Sequence, residues 1–305
     1  MLIGFVILSH GSPNQLHRLI AALDREYDCP PIACHHDFSQ YPLSVGAFGK
    51  NVAFVQPHIA TAWSKFSVVQ AALAGVGLLF ETGQPDWFML LSASDYPIMA
   101  GAGVRRVIIG SNCDAFLDAR PLNSHETPKC SITGTQNPKL EHFNSVGNQR
   151  IKRLFYTSRE FWIPIIRLKP RFRIGRLTYR PGWEARHPYS DWPCYYGDHW
   201  FGANARVAKI LLEPTLKHLA LRRHLGSRTQ ADETYFPTVL MNEPTITVCL
   251  DNKRFAEWNG GGAHPMILGP AQLDEMIDSG AFFARKFQPD SGVLDEIDAV
   301  LKRQT

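Results

Sequence analysis

The chain opens on a compact apolar run, Leu2 to Leu8, closed by Ser9-His10-Gly11. Such a run before a glycine turn predicts a strand buried on both faces, as in a parallel sheet. From Gln15 to Asp24 the spacing changes, and Leu16, Leu19, Ile20 and Leu23 line one face of a helix. Pro31 to His36 is a second candidate strand. Apolar positions 66, 69, 73, 76 and 80 then mark a longer helix within Trp63 to Phe80. Trp87 to Leu91 is another apolar strand, stopped by Ser92-Ala93-Ser94-Asp95-Tyr96-Pro97, and Asp114 to Leu117 repeats the theme. Alternating strands and helices predict an α/β fold with a mostly parallel central sheet flanked by helices. Ligands of such sheets sit beyond the carboxyl ends of the strands. Ser9-His10-Gly11, His35-His36-Asp37 and Ser94-Asp95 are therefore expected on one rim.

Arg150 to Arg186 breaks the rhythm. It holds eleven Lys or Arg against two acids, Glu160 and Glu184, with Trp162, Pro164, Phe172, Tyr179 and Trp183 interleaved. This predicts a basic, aromatic-rich insertion at about 150–190 with little regular structure, able to meet an anionic membrane surface. Beyond it, Arg206 to His224 is expected as a helix, Thr245 to Leu250 as a strand and Val293 to Leu301 as an amphipathic helix. No stretch has linker composition, so residues 1–305 are expected to form a single domain.

Composition narrows the function classes. A 45% hydrophobic, 20% charged chain can bury a core, and a net charge of +4 is too small to argue for nucleic acid. The apolar start lacks a basic leader region and no run reaches the roughly eighteen residues of a membrane span. A cytoplasmic protein without signal peptide or transmembrane helix is expected, with peripheral membrane attachment left open. The six cysteines are scattered with no C-x-x-C pair, so free thiols are expected and neither a zinc site nor a disulfide framework.

Three patterns carry candidate chemistry. Asp232 and Glu233 stand directly before an apolar helical segment, where acids suit the helix dipole; Glu233 is alternatively a general base at a cleft mouth. Arg285 and Lys286 sit among Phe282, Phe283 and Phe287. They either face solvent from a strand or neutralise an anion such as a diphosphate, since burying unpaired charge is costly. Asp95, before Tyr-Pro, either holds its turn through backbone N–H groups or faces a ligand. His10, His35 and His36 match no common metal-ligand spacing and are expected to be satisfied structural histidines.

Taken in order, these segments resemble the core-2/I-branching glycosyltransferase family, which includes branching β-1,6-N-acetylglucosaminyltransferases and peptide O-xylosyltransferases. The resemblance runs from residue 3 to about 301. It rests on Ile7-Leu8-Ser9-His10, on Cys34-His35-His36-Asp37, on Ala62-Trp63-Ser64-Lys65-Phe66-Ser67 and on Leu91 to Ile98. It continues through Asp232 to Asn242, Asn252 to Trp258 and Phe283-Ala284-Arg285-Lys286-Phe287, the last two closest to the xylosyltransferase branch. It implies a GT-A-type, Rossmann-like nucleotide-sugar fold and an inverting transfer of xylose or N-acetylglucosamine from a UDP-sugar to an acceptor hydroxyl. Glu233 is implied as the base, and His10, Asp37, Trp63, Asp95, Arg285 and Lys286 as donor-side residues, with Asp37 at the uracil. Asp198, His199 and Trp200 are implied on the acceptor side; where the xylosyltransferases carry Asp directly before Trp-Phe, this chain has His199, with Asp198 one residue earlier. The acceptor is expected to be a glycan, a lipid-linked saccharide or a protein hydroxyl.

No cofactor or metal is expected. Asp37 and Asp95 are solitary, without the D-x-D pair with which many nucleotide-sugar transferases hold a cation, so Arg285 and Lys286 would have to neutralise the diphosphate. Two competitors are a glycoside hydrolase pairing Asp198 with Glu233 and a catalytically silent protein that binds polyanions or membrane surfaces through the basic insertion.

Overall fold

The computed structural model describes residues 1–121, 172–174, 177–179, 192–226, 228, 230–258 and 264–304. The basic insertion at 150–190 therefore lies outside the described residues, except for the backbone of an antiparallel hairpin, β8 (Phe172–Ile174) with β9 (Leu177–Tyr179). That hairpin is regular structure where the sequence predicts little.

The apolar runs become the centre of a seven-stranded sheet. Its order is β12 (Val248–Cys249), β6 (Ala115–Phe116), β11 (Gly202–Asn204), β4 (Trp87–Ser92), β1 (Ile3–Ser9), β2 (Ile32–His36) and β3 (Val52–Phe54). β1 is parallel to β2 and β4, β2 to β3, and β12 to β6, while β11 runs antiparallel to both neighbours. This is the expected α/β, Rossmann-like layout: a mostly parallel sheet flanked by helices.

Side-chain alternation along β1 and β4 divides the core. Ile3, Phe5, Ile7, Trp87, Met89 and Leu91 face one side, packing with Leu16, Leu19 and Leu23 of α1 (Pro13–Tyr27). The last helix, α8 (Val293–Gln304), adds Val293, Leu294, Ile297 and Leu301 to the same layer. Its Asp298 accepts hydrogen bonds from Arg25 (2.6 Å), Arg18 (2.9 Å) and the Tyr96 hydroxyl (2.9 Å). Val6, Leu8, Phe88 and Leu90 face the opposite side, against Val69, Ala72, Val76 and Leu79 of α2 (Phe66–Thr82). Gly75 lets α2 lie on β1, because a Cβ there would come within 2.5 Å of Val6 Cγ1.

Two expectations about elements are corrected. The helical stretch from 206 to 224 is two helices, α4 (Ala205–Leu212) and α5 (Leu216–Leu225), because Pro214 cannot continue the first. Thr215 caps the second, its hydroxyl accepting from His218 N–H. The strand expected over 245–250 is only Val248–Cys249. The free-thiol expectation also fails in part. Cys113 and Cys249 form a disulfide across the β6–β12 edge, with Cα atoms 5.9 Å apart, whereas Cys29, Cys34 and Cys194 are free. Among the described residues no helix is long and apolar enough to cross a membrane.

Candidate active site at the carboxyl edge of the sheet

A second, three-stranded sheet stands past the ends of β1 and β4. Its strands are β13 (Arg254–Ala256), β14 (Phe283–Arg285) and β5 (Asp95–Pro97), with β14 parallel to β13 and antiparallel to β5. The register sets Arg285 directly opposite Asp95, bringing the C-terminal cations to the predicted rim.

Asp95 is only 2% exposed and is surrounded by charge. Its carboxylate accepts from Arg254 Nη1 (2.9 Å) and the Ser92 N–H (3.0 Å), and Arg285 Nε lies 3.3 Å away. Arg254 also donates to the Leu90 carbonyl (2.9 Å). Its guanidinium is buried deeply enough to lower its pKa, against the pull of Asp95 and Asp198. Asp95 thus holds its turn, as one expectation had it, and also anchors both arginines. Arg254 was not singled out in the sequence; the only signal for it was its place in the Asn252 to Trp258 segment.

Lys286 extends this charge toward the open rim. Burial and the neighbouring Arg285 cation both lower its pKa, while Asp95 raises it. His10, just past the end of β1, has its pKa lowered by partial burial of its ring and by the Lys286 charge, against the pull of Asp37. Three cations, Arg254, Arg285 and Lys286, thus crowd around the Asp95 carboxylate, a setting in which an added anion would be stabilised.

The neighbouring histidines are occupied as expected. His36 Nε2 donates to the Tyr41 carbonyl (2.7 Å) and its Nδ1 lies 3.1 Å from the Ser9 hydroxyl, while His35 Nε2 accepts the Ile59 N–H (3.0 Å). Asp37 is fully engaged by its own loop. Its oxygens accept from Thr61 N–H (2.6 Å), Thr61 hydroxyl (2.8 Å), Gln40 (2.7 Å) and the Ser39 hydroxyl (2.5 Å). Burial alone would raise its pKa, but these hydrogen bonds outweigh it and hold the carboxyl well below the usual range. In this geometry Asp37 shapes the loop from 37 to 61.

The acceptor-side residues converge on the start of helix α6 (Asp232–Met241). Trp200 carries the Arg285 guanidinium 4.9 Å from its ring centre, which joins the two halves of the site. Asp198 accepts from Asn252 (2.8 Å); burial raises its pKa, opposed by Arg285 and Arg254. Gly197 makes the approach of this segment feasible, since any Cβ there would collide with the Asp118 carbonyl, and its N–H donates to the Glu233 carbonyl (2.8 Å).

His199 is 4% exposed, with its pKa pushed down to about 4 by burial. Its Nδ1–H donates to the Asp232 carbonyl (3.3 Å), and its Nε2 has no hydrogen-bond partner among the described residues. Glu233 is half-buried in the first turn of α6, with Gln230 Nε2 3.5 Å from its Oε2. Trp63, 61% exposed, rings against His264 at 5.3 Å, and the following Ser64 reaches the turn before α6, its hydroxyl accepting Gln230 N–H (2.6 Å). Contacts thus link Asp95 to Arg285, Arg285 to Trp200, and His199 and the Ser64 turn to the start of the Glu233 helix. Among the described residues, no three His, Cys, Asp or Glu side chains gather as metal ligands.

The class these features define is an α/β protein with a carboxylate-and-cation site at the carboxyl edge of a Rossmann-like sheet. No protein-family model matches the chain. Among curated proteins it is 28% identical to beta-glucuronosyltransferase GlcAT14B of Arabidopsis thaliana over 239 residues, 73% of this chain and 46% of that protein. It is 25% identical to beta-glucuronosyltransferase GlcAT14C of the same plant over 256 residues, 78% of this chain and 56% of the relative. The chain thus spans about half the length of the curated relatives it matches. These relatives are glycosyltransferases. They support the family resemblance without favouring its xylosyltransferase branch. Among solved structures, the cytidylyltransferase of 2-C-methyl-D-erythritol 4-phosphate from Thermus thermophilus is 13% identical over 92% of this chain and 99% of its own, with a TM-score of 0.36.

Proposed function

We propose that this chain is an inverting glycosyltransferase acting on a UDP-sugar, with residues 1–305 as one catalytic domain. The observation that carries the reading is the gathering of three cations, Arg254, Arg285 and Lys286, against two buried carboxylates, Asp95 and Asp198, beside the Glu233 helix. A leaving diphosphate would supply the missing negative charge. The Glu233 carboxylate takes the proton of the acceptor hydroxyl, whose oxygen attacks the anomeric carbon. The bond from that carbon to the diphosphate oxygen breaks, and UDP departs toward Lys286 and Arg285. A positioned base contributes about 10²–10⁴-fold, and fixed cations at the developing charge add to that. No metal is part of this route.

The donor sugar is the finer question. Xylose and N-acetylglucosamine follow from the family resemblance, and glucuronic acid from the beta-glucuronosyltransferases to which the chain is similar. We take UDP-glucuronic acid as the first donor to test, and a glycan, lipid-linked saccharide or protein hydroxyl as acceptor.

Calorimetry of UDP binding in EDTA, followed by UDP release from the three donors, is the experiment. Binding should survive the chelator, and Glu233→Gln should lower UDP release about 10²-fold or more with UDP affinity unchanged. A strict requirement for manganese or magnesium would overturn the metal-free route. Unchanged turnover in Glu233→Gln would remove the base assignment.

A further inference from the structure

Asp232, the neighbour of the assigned base, ties together three separate segments of the site. Its carboxylate accepts the Glu233 N–H (3.1 Å), and the Ser64 backbone, next to Trp63, lies near enough to favour its charged form. Its carbonyl accepts the Nδ1–H of His199 (3.3 Å). The junction is reinforced on both sides. Ser64 receives the Gln230 N–H on its hydroxyl (2.6 Å) and the Ala231 N–H on its carbonyl (3.3 Å), and Gly197 donates to the Glu233 carbonyl (2.8 Å).

A surface N-terminal acid serves its helix while exposed to water. Asp232 is instead 9% exposed, and Asp198 lies close enough to disfavour its charge. Burial keeps its pKa near 6, so the anion is held at a cost that a mere helix cap does not require. Such a cost is expected where a group fixes geometry for function.

We propose that Asp232 is a positioning residue: its buried carboxylate fixes the Glu233 N–H beside the Ser64 turn and the His199 ring, so that the Glu233 carboxylate is held toward the acceptor hydroxyl. This rests on the reading of Glu233 as base. Asp232 touches no reacting atom. It limits the freedom of Glu233, and misplacement of a reacting group by about 1 Å can cost on the order of 10²-fold.

A double-mutant cycle tests this, with UDP release from the preferred donor as the readout and calorimetry for UDP affinity. Asp232→Ala should lower kcat at least tenfold while KM for the donor and UDP affinity stay within about threefold. Asp232→Asn, which keeps an acceptor oxygen for the Glu233 N–H, should recover most of that loss. In a Glu233→Gln background, Asp232→Ala should cost nothing further, because the group it positions no longer takes a proton. Equal losses from Asp232→Ala in both backgrounds would overturn the proposal, as would a loss appearing in donor KM and UDP affinity. If Glu233→Gln alone keeps full turnover, the base assignment fails first and the proposal falls with it. Should Asp232→Ala not fold, Ser64→Ala loosens the same junction from the other side and must show the same dependence on Glu233.

Discussion

At the scale of single residues, the charges in this site oppose one another, and that makes them testable. If Arg285 and Lys286 meet phosphate, Arg285→Ala and Lys286→Ala should weaken UDP binding at least tenfold and leave uridine binding nearly unchanged. Equal losses for the two ligands, measured by calorimetry, would return the pair to a structural role. Asp232 and His199 give a second prediction. Asp232 titrates near 6 in the fold against about 4 in an unfolded chain. Between those values the folded state keeps a proton that the unfolded chain releases, so stability falls as pH rises. His199 titrates near 4 against about 6.5 unfolded. There the unfolded chain holds the extra proton, and stability rises with pH. The two slopes nearly cancel in the parent. Melting curves from pH 4 to 7 should therefore rise with pH in Asp232→Asn and fall with pH in His199→Gln, relative to the parent. Parallel curves for all three proteins would contradict both assignments. The types of these residues were legible in the sequence; their burial, which sets the shifts, was not.

At the scale of elements, close approach decides which residues are allowed. Helix α2 rests on β1 only because Gly75 has no side chain to meet Val6. Gly75→Ala gains roughly 1 kcal/mol of helix propensity but overpacks the interface at a cost of about 1–3 kcal/mol. A net loss in chemical denaturation is expected, with Val6→Ala restoring part of it in the double variant. Additive effects of the two changes would mean the helix and strand are not in contact as described. The apolar stripe proposed for this helix illustrates the limit of pattern reading. Phe66, Val69 and Val76 are buried, but Leu73 and Phe80 are only partly so, while Ala72 and Leu79 complete the inner face. A helix with so many apolar residues does not announce which side the sheet will take.

At the scale of the whole molecule, the Cys113–Cys249 disulfide closes a chain separation of 136 residues. It also clamps the edge strand β12, from which the chain passes to Asn252 and Arg254 in the site. A bond closing so long a loop typically stabilises by about 2–4 kcal/mol. Peptide mapping without reductant should recover Cys113 joined to Cys249, and a reducing agent should lower the melting temperature of the parent but not of Cys113→Ser. Identical melting with and without reductant, in a parent shown to carry the bond, would deny it a stabilising part.

What the sequence determined by itself was the order of strands and helices, since periodicity and turn residues act over a few positions, and with it the rim where strands end. The seven-residue strand β1, the helix Pro13–Tyr27 and the closing helix lie where their apolar spacing put them. Cation and carboxylate candidates were also visible, because Arg285, Lys286, Asp95 and Glu233 occupy distinctive local settings. The tertiary structure alone decided which of them meet. Asp95 faces Arg285 because β5 and β14 pair across some 190 residues of chain, and Arg254 joins them from β13. The disulfide and the engagement of Asp37 by Thr61 were hidden for the same reason. Each depends on contacts between distant segments, and local composition carries no record of which segment will lie beside which.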